Sequence, residues 1–199
     1  MVVRVETGEA DWAARVTRRV LAVPRQGRRV RVVSVEGHSG SGKSTVAERV
    51  RRELAESGEP VATLTMEDLY PGWEGLERAP ELLRTWVLEP LAEGRPPAWR
   101  RYDWELGAFE DRWRSLPEEL AGGGTLLVEG CGSGASAVHE SIDVLVWVAA
   151  PDHLRRARLD SREDADLYAP FRAVWARQEE ALYRRDHPRE RADLVVDNP

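Results

Sequence analysis

The run Gly37-His38-Ser39-Gly40-Ser41-Gly42-Lys43-Ser44-Thr45 decides the fold. It satisfies the pattern GxxxxGK(S/T), a glycine-rich loop whose backbone N–H groups wrap around phosphates. Of the 29 lysines and arginines in the chain, 28 are arginine, and the one lysine is Lys43. A lysine ammonium is a compact point charge that can rotate onto terminal phosphates, a task for which the planar guanidinium fork is a poor substitute. An ammonium kept at this one position therefore points to a nucleotide.

The flanks supply the context that the motif requires. Residues Arg29 to Glu36 are rich in valine and run into Gly37, which predicts a strand feeding the loop. Ser44 to Ser57 reads as a helix closed by Gly58, and its N-terminus adds partial positive charge facing the phosphates. Further strands are expected at Pro60–Met66, Thr125–Glu129, Ile142–Val148 and Ala192–Val196. Several are continuous apolar runs, as befits parallel strands covered on both faces. The expected class is α/β, a three-layer P-loop NTPase fold with a mainly parallel sheet and helices on both faces.

Outside this frame, residues 1–28 read as a helical cover, with an apolar face from about Ala10 to Val23. The segment 71–121 holds five of the eight tryptophans (Trp73, Trp86, Trp99, Trp104, Trp113) and many prolines. A helix is expected over Ala79–Glu93 and irregular chain elsewhere. Lying between two core strands, this segment is where a substrate-binding excursion belongs.

The chemistry-bearing residues follow from position. Ser44 places a hydroxyl to coordinate Mg2+ between phosphates. Asp68 is expected at the end of the second strand, as general base toward an acceptor hydroxyl or as a water-mediated Mg2+ ligand, with Glu67 as its stand-in if the register slips by one. Glu129 ends an apolar strand at the same sheet edge and suits the Mg2+ water shell, since a buried acid needs a cation. Arg155, Arg158 and Arg162 fall at i, i+3 and i+7, a stripe able to close as a lid (151–166) or to stand as a solvated, salt-bridged face.

In this order, these features resemble the uridine kinase-like branch of the P-loop kinases, from about Val30 to Asp197. The resemblance rests on Gly37 to Thr45, Asp68-Leu69-Tyr70, Tyr102-Asp103, Glu129-Gly130 and the arginine helix. It implies ATP and Mg2+ as cofactors, the loop Gly37 to Thr45 as the nucleotide site, and Lys43, Asp68, Arg155, Arg158 and Arg162 as catalytic. It also implies Tyr70, Tyr102 and Asp103 as substrate-pocket residues, beside which Trp73, Trp99 and Trp104 offer faces for stacking. The chain departs from that family where Leu69-Tyr70-Pro71 replaces Ser-Phe-Tyr and Trp104-Glu105 replaces His-Pro. The acceptor is thereby carried over only as a class: a nucleoside or related hydroxyl-bearing metabolite.

Composition narrows the alternatives. The 199 residues suit one domain, and the net charge of −6 with interleaved signs offers no basic face for nucleic acid. The single cysteine, Cys131, and the lack of a long apolar run or signal core fit a cytoplasmic protein without a membrane partner. A GTP switch would need an Asn-Lys-x-Asp element for the base, and no second lysine exists. A regulatory ATPase without an acceptor is disfavoured by the short length and the aromatic insertion. The oligomeric state stays open, a homodimer included.

Overall fold

The valine-rich run forms a strand because β-branched side chains suit a pleat buried on both faces. In the computed structural model, which describes residues 2–25, 29–162 and 165–199, Val30–Glu36 is buried throughout. Counted in chain order, the strands are β1 (Val3–Glu6), β2 (Val30–Glu36), β3 (Val61–Thr65), β4 (Ala98–Asp103), β5 (Ala108–Ser115), β6 (Gly124–Glu129), β7 (Val144–Ala149) and β8 (Leu194–Asp197). The helices are α1 (Trp12–Leu21), α2 (Lys43–Glu56), α3 (Ala79–Leu83), α4 (Glu89–Ala92), α5 (Asp152–Asp160), α6 (Ala165–Tyr168), α7 (Arg172–Asp186) and α8 (Pro188–Arg191).

Six strands make one sheet in the order β1-β8-β7-β2-β6-β3, and every pair in it is parallel. The two-residue period of β2 sorts its side chains between layers. Val33 and Val35 pack with Val16 and Val20 of α1 and with Val46, Val50 and Leu54 of α2. Val30 and Val32 face the opposite layer, which contains Leu83, Trp99, Trp175 and Leu182. Helical layers on both sides of a parallel sheet give the expected three-layer α/β fold.

The expected helical cover of residues 1–28 is correct for α1 and incomplete before it; residues 1 and 26–28 lie outside the described chain. Val3–Glu6 is an edge strand that pairs in parallel with β8, from Val3 opposite Leu194 to Glu6 opposite Asp197. Its valines at 3 and 5 alternate with Arg4 and Glu6, the strand period, and Val5 is the one of them that is fully buried.

The segment 71–121 is more ordered than its prolines suggest. The helix expected over Ala79–Glu93 is present but widens to a π-helical turn at Arg84–Leu88, just ahead of Pro90, whose missing N–H cannot continue the regular ladder. Where irregular chain is expected, β4 and β5 form an antiparallel hairpin. Asp103 closes its turn by accepting hydrogen bonds from the Glu105 and Leu106 amides, each at 2.9 Å. No helix among the described residues is long and apolar enough to cross a membrane.

Candidate active site

The loop after β2 needs glycine because neighbouring backbone leaves no space for a Cβ. At Gly37, with φ +151°, a Cβ would sit 2.4 Å from the Val148 carbonyl oxygen, and at Gly40, with φ +77°, 2.5 Å from that of Arg155. Two arginines of α5 grip the outside of the loop. Arg155 donates to the Ser39 carbonyl at 3.1 Å, while Arg158 reaches the carbonyls of Gly40 at 3.5 Å and Ser41 at 3.4 Å. A planar trans peptide points its N–H opposite to its C=O, so the amides of Gly40 and Gly42 are turned away from these guanidinium groups.

Lys43 opens α2 and is nearly buried, with Nζ donating to the His38 carbonyl at 3.1 Å and lying 3.4 Å from Cys131 Sγ. Burial works against its charge, but the Cys131 sulfur and the carboxylates of Glu179, Glu36 and Glu129 outweigh it and raise its pKa. Burial also pushes the Cys131 thiol far up. Ser44 donates to Glu129 Oε2 at 3.2 Å, and Glu129 stands in register between Thr65 of β3 and Val35 of β2. Thus two oxygen donors meet one residue beyond the lysine.

These groups form one end of a cavity of about 570 Å3. The loop contributes Ser39, Gly40, Gly42, Lys43, Ser44 and Thr45, with Glu129 and Arg158 beside them. Its far end is aromatic: Tyr70, Trp73, Trp104, Tyr168 and Trp175. Trp73 stacks on Phe171 at 4.9 Å with the rings nearly parallel, and it meets Trp104 at 4.6 Å. Tyr70 and Trp175 already spend their polar atoms on the protein, through Tyr70 Oη to the Cys131 carbonyl and Trp175 Nε1 to Glu179. Glu67 also lines the cavity, and Arg162 approaches it at 3.8 Å.

Beyond the phosphate loop itself, the structure brings together most of the residues singled out from sequence and separates five. Asp68 does not line the cavity. Strand β3 stops at Thr65, and a 3-10 turn over Met66–Asp68 sends Glu67 and Asp68 in different directions. Asp68 accepts from Trp99 Nε1 at 3.1 Å and lies 3.6 Å from Arg101. The acid facing the cavity is its neighbour Glu67. Tyr102 and Asp103 also lie off the cavity wall, because Asp103 closes the hairpin turn and Tyr102 packs edge-on against Trp104 and Phe109. Trp99 is buried in the core.

Arg155 is the fifth, spent on the loop carbonyl and Asp152 rather than turned into the cavity. The helical stripe is also shorter than its spacing implies, since α5 ends at Asp160 and Arg162 follows it in a turn; residues 163–164 of the expected lid span lie outside the described chain. Sequence reasoning missed Tyr168, Trp175 and Glu179, which lie beyond the arginine helix and carry no motif; the i, i+4 pairing of Trp175 with Glu179 is the only local signal.

The residues fit the groups that the loop motif implies. Gly37 and Gly40 make a cradle that any Cβ would fill, and Ser44 with Glu129 supplies hard oxygen donors of the kind Mg2+ takes when phosphates complete its shell. No cluster of three or more His, Cys, Asp or Glu suited to an all-protein metal cage occurs among the described residues.

No family model matches the chain, and no curated protein matches it. Solved structures do. A possible uridine kinase from Bacillus stearothermophilus superposes with a TM-score of 0.68 over 93% of this chain and 97% of its own, at 21% identity. A candidate fructose transport system kinase from a Silicibacter species gives 0.63 over 92% and 98%, at 19% identity. At such identities the likeness speaks for architecture. The chain has the three-layer P-loop fold that both of these proteins share.

Proposed function

We propose that this protein is a uridine kinase-like, ATP-dependent phosphotransferase that moves the γ-phosphoryl group to a hydroxyl of an uncharged small molecule with a flat or apolar face. The observation that carries the reading is that one cavity is lined by the phosphate loop, an aromatic wall and the carboxylate of Glu67. Nucleosides and sugars are the acceptor classes that suit it, and the names of the two structural neighbours span both.

In the proposed reaction the chain's own groups have separate tasks. The loop amides and Lys43 hold the β- and γ-phosphates, and Lys43 draws charge off the group in transit. Ser44 and Glu129 would hold Mg2+, which when bound neutralises phosphate charge. Glu67 accepts the acceptor's hydroxyl proton as the oxygen bonds to the γ-phosphorus and ADP leaves; this gives Glu67 the role that sequence spacing suggested for Asp68. Arg158 and Arg162 stand at the loop side of the cavity, where transferred charge passes. A cytoplasmic setting suits an ATP-consuming enzyme.

The acceptor's charge follows from the cations available. Among the described residues, Lys43, Arg158 and Arg162 are the cations of the cavity wall. Lys43 belongs to the phosphate loop, Arg158 of α5 is tied to its carbonyls, and Arg162 faces Glu67. A phosphorylated acceptor would need a further bidentate arginine to offset its desolvation. A panel of neutral nucleosides and sugars against their monophosphates, scored by ADP release, tests the reading. Release with a neutral acceptor is expected, and release only with monophosphates contradicts it.

A further inference from the structure

Glu179 lies on α7, 140 residues from Ser39, and is buried. A carboxylate out of water is tolerated only when donors and charges compensate it. Here the donors converge on one oxygen. Oε1 accepts from the Ser39 amide at 3.0 Å, from the Ser39 hydroxyl, from Trp175 Nε1 at 3.0 Å and from the Cys131 thiol at 3.0 Å. The His38 ring nitrogen Nδ1 approaches Oε2 at 3.4 Å. Burial alone would raise the carboxyl's pKa, but the hydrogen bond with His38, the charge of Lys43 and the hydroxyl and thiol donors lower it to about 2.

Ser39 is thereby held on three sides, because its carbonyl is taken by Arg155. Its amide is committed to Glu179. The two groups that Lys43 Nζ touches, the His38 carbonyl and Cys131 Sγ, belong to residues that themselves contact Glu179. Glu179 does not line the cavity, so it has no access to a reacting atom. Trp175, one helical turn earlier, does line it and shares the same oxygen.

We infer that Glu179 is a positioning residue: a strap from α7 that fixes the first half of the phosphate loop and so aims Lys43, with Trp175 joining the acceptor wall to the same anchor. The inference rests on the phosphoryl-transfer reading for its kinetic part and on geometry alone for its structural part. Loss of the strap leaves the later loop amides in place for ATP and misdirects the ammonium during transfer.

Glu179→Gln keeps the shape and removes the charge; it weakens every hydrogen bond to Oε1, the Ser39 amide's included, and replaces the Oε2 acceptor that faces His38 with a donor. In nucleotide-free protein, the Ser39 amide of this variant is expected to exchange with solvent at least tenfold faster than in wild type. Turnover is expected to fall at least fivefold further than ATP affinity measured by calorimetry. Ser39→Ala, which keeps the buried charge and removes one donor, gives the same kinetic pattern and serves if Glu179→Gln does not fold. Unchanged amide exchange overturns the inference whether or not the protein is a kinase. A loss of turnover that only matches the loss of affinity also overturns it, as that marks a general weakening of the loop. A wild-type protein that binds ATP and phosphorylates no acceptor sinks the transfer reading instead, and the exchange result then decides the strap by itself.

Discussion

The two ends of the cavity are built on different principles. At the phosphate end, all the critical atoms but the Glu129 carboxylate belong to backbone or to side chains within one stretch of nine residues, braced by α5 and by Glu179. At the acceptor end, the wall is assembled from four separate segments: Tyr70 and Trp73 after β3, Trp104 from the hairpin tip, Tyr168 from α6 and Trp175 from α7. A backbone cradle tolerates one sequence solution and is recognisable as a string. A wall of aromatic faces can be composed in many ways, so it sets specificity without leaving a signature.

If the division is real, substitutions at the two ends should separate turnover from acceptor binding. Lys43→Ala is expected to have the largest effect, a loss of transfer of roughly 1,000-fold or more in a protein that is still folded, since preorganised charge is the main catalytic term. Coupled ADP release and a thermal melt check it, and retained activity breaks the phosphate-end assignment. Glu67→Gln should lower kcat by about 100-fold while calorimetry finds ATP binding kept, the scale for losing a general base. Asp68→Asn serves as its control: a loss confined to a few-fold is expected, because that side chain holds the hairpin through Trp99 and Arg101. Should Asp68→Asn prove the more damaging, the base belongs at 68.

Trp104→Ala should raise the acceptor KM by about fivefold and leave the KM for ATP within twofold, in line with the ~1 kcal/mol of a lost aromatic contact. Equal effects on both substrates would erase the division. The smallest effect concerns pH. The folded-state pKa of Glu179 is lowered from the ordinary 4.5 to about 2, so its stabilising contribution is present above about pH 4.5 and is lost as pH falls toward 2. The stability gap between wild type and Glu179→Gln should therefore stay flat from about pH 5.5 to 8 and shrink in acid, as followed by denaturant melts at each pH.

The same contrast explains what was legible in the sequence. Strands β6 and β7 carry continuous apolar runs and β2 is rich in valine, all three buried on both faces, and the loop between β2 and α2 is a fixed string, so the fold and the phosphate end could be read directly. The edge strand β1 has four residues and one fully buried side chain, too little pattern to stand out beside the amphipathic helix that follows it. The hairpin was hidden because its strands carry mixed charged and aromatic residues on a half-exposed surface, without clean alternation. The choice between Glu67 and Asp68 turned on where β3 ends. A single residue of 3-10 turn decides which carboxylate faces the cavity, and no local propensity distinguishes Met66-Glu67-Asp68 as strand from the same residues as turn. Glu179 is legible only in three dimensions, since its partners lie 4, 48, 140 and 141 residues away.

The central claim is that the cavity joins a nucleotide's terminal phosphate to a hydroxyl of a second molecule. Phosphorus NMR of a single reaction containing the wild-type protein, ATP, Mg2+ and a neutral acceptor identified by ADP release tests it most directly. The account predicts that ADP and a new phosphomonoester of the acceptor grow in equal amounts, with orthophosphate at background. ADP matched by orthophosphate, and no phosphomonoester, would contradict it and make the protein an ATPase.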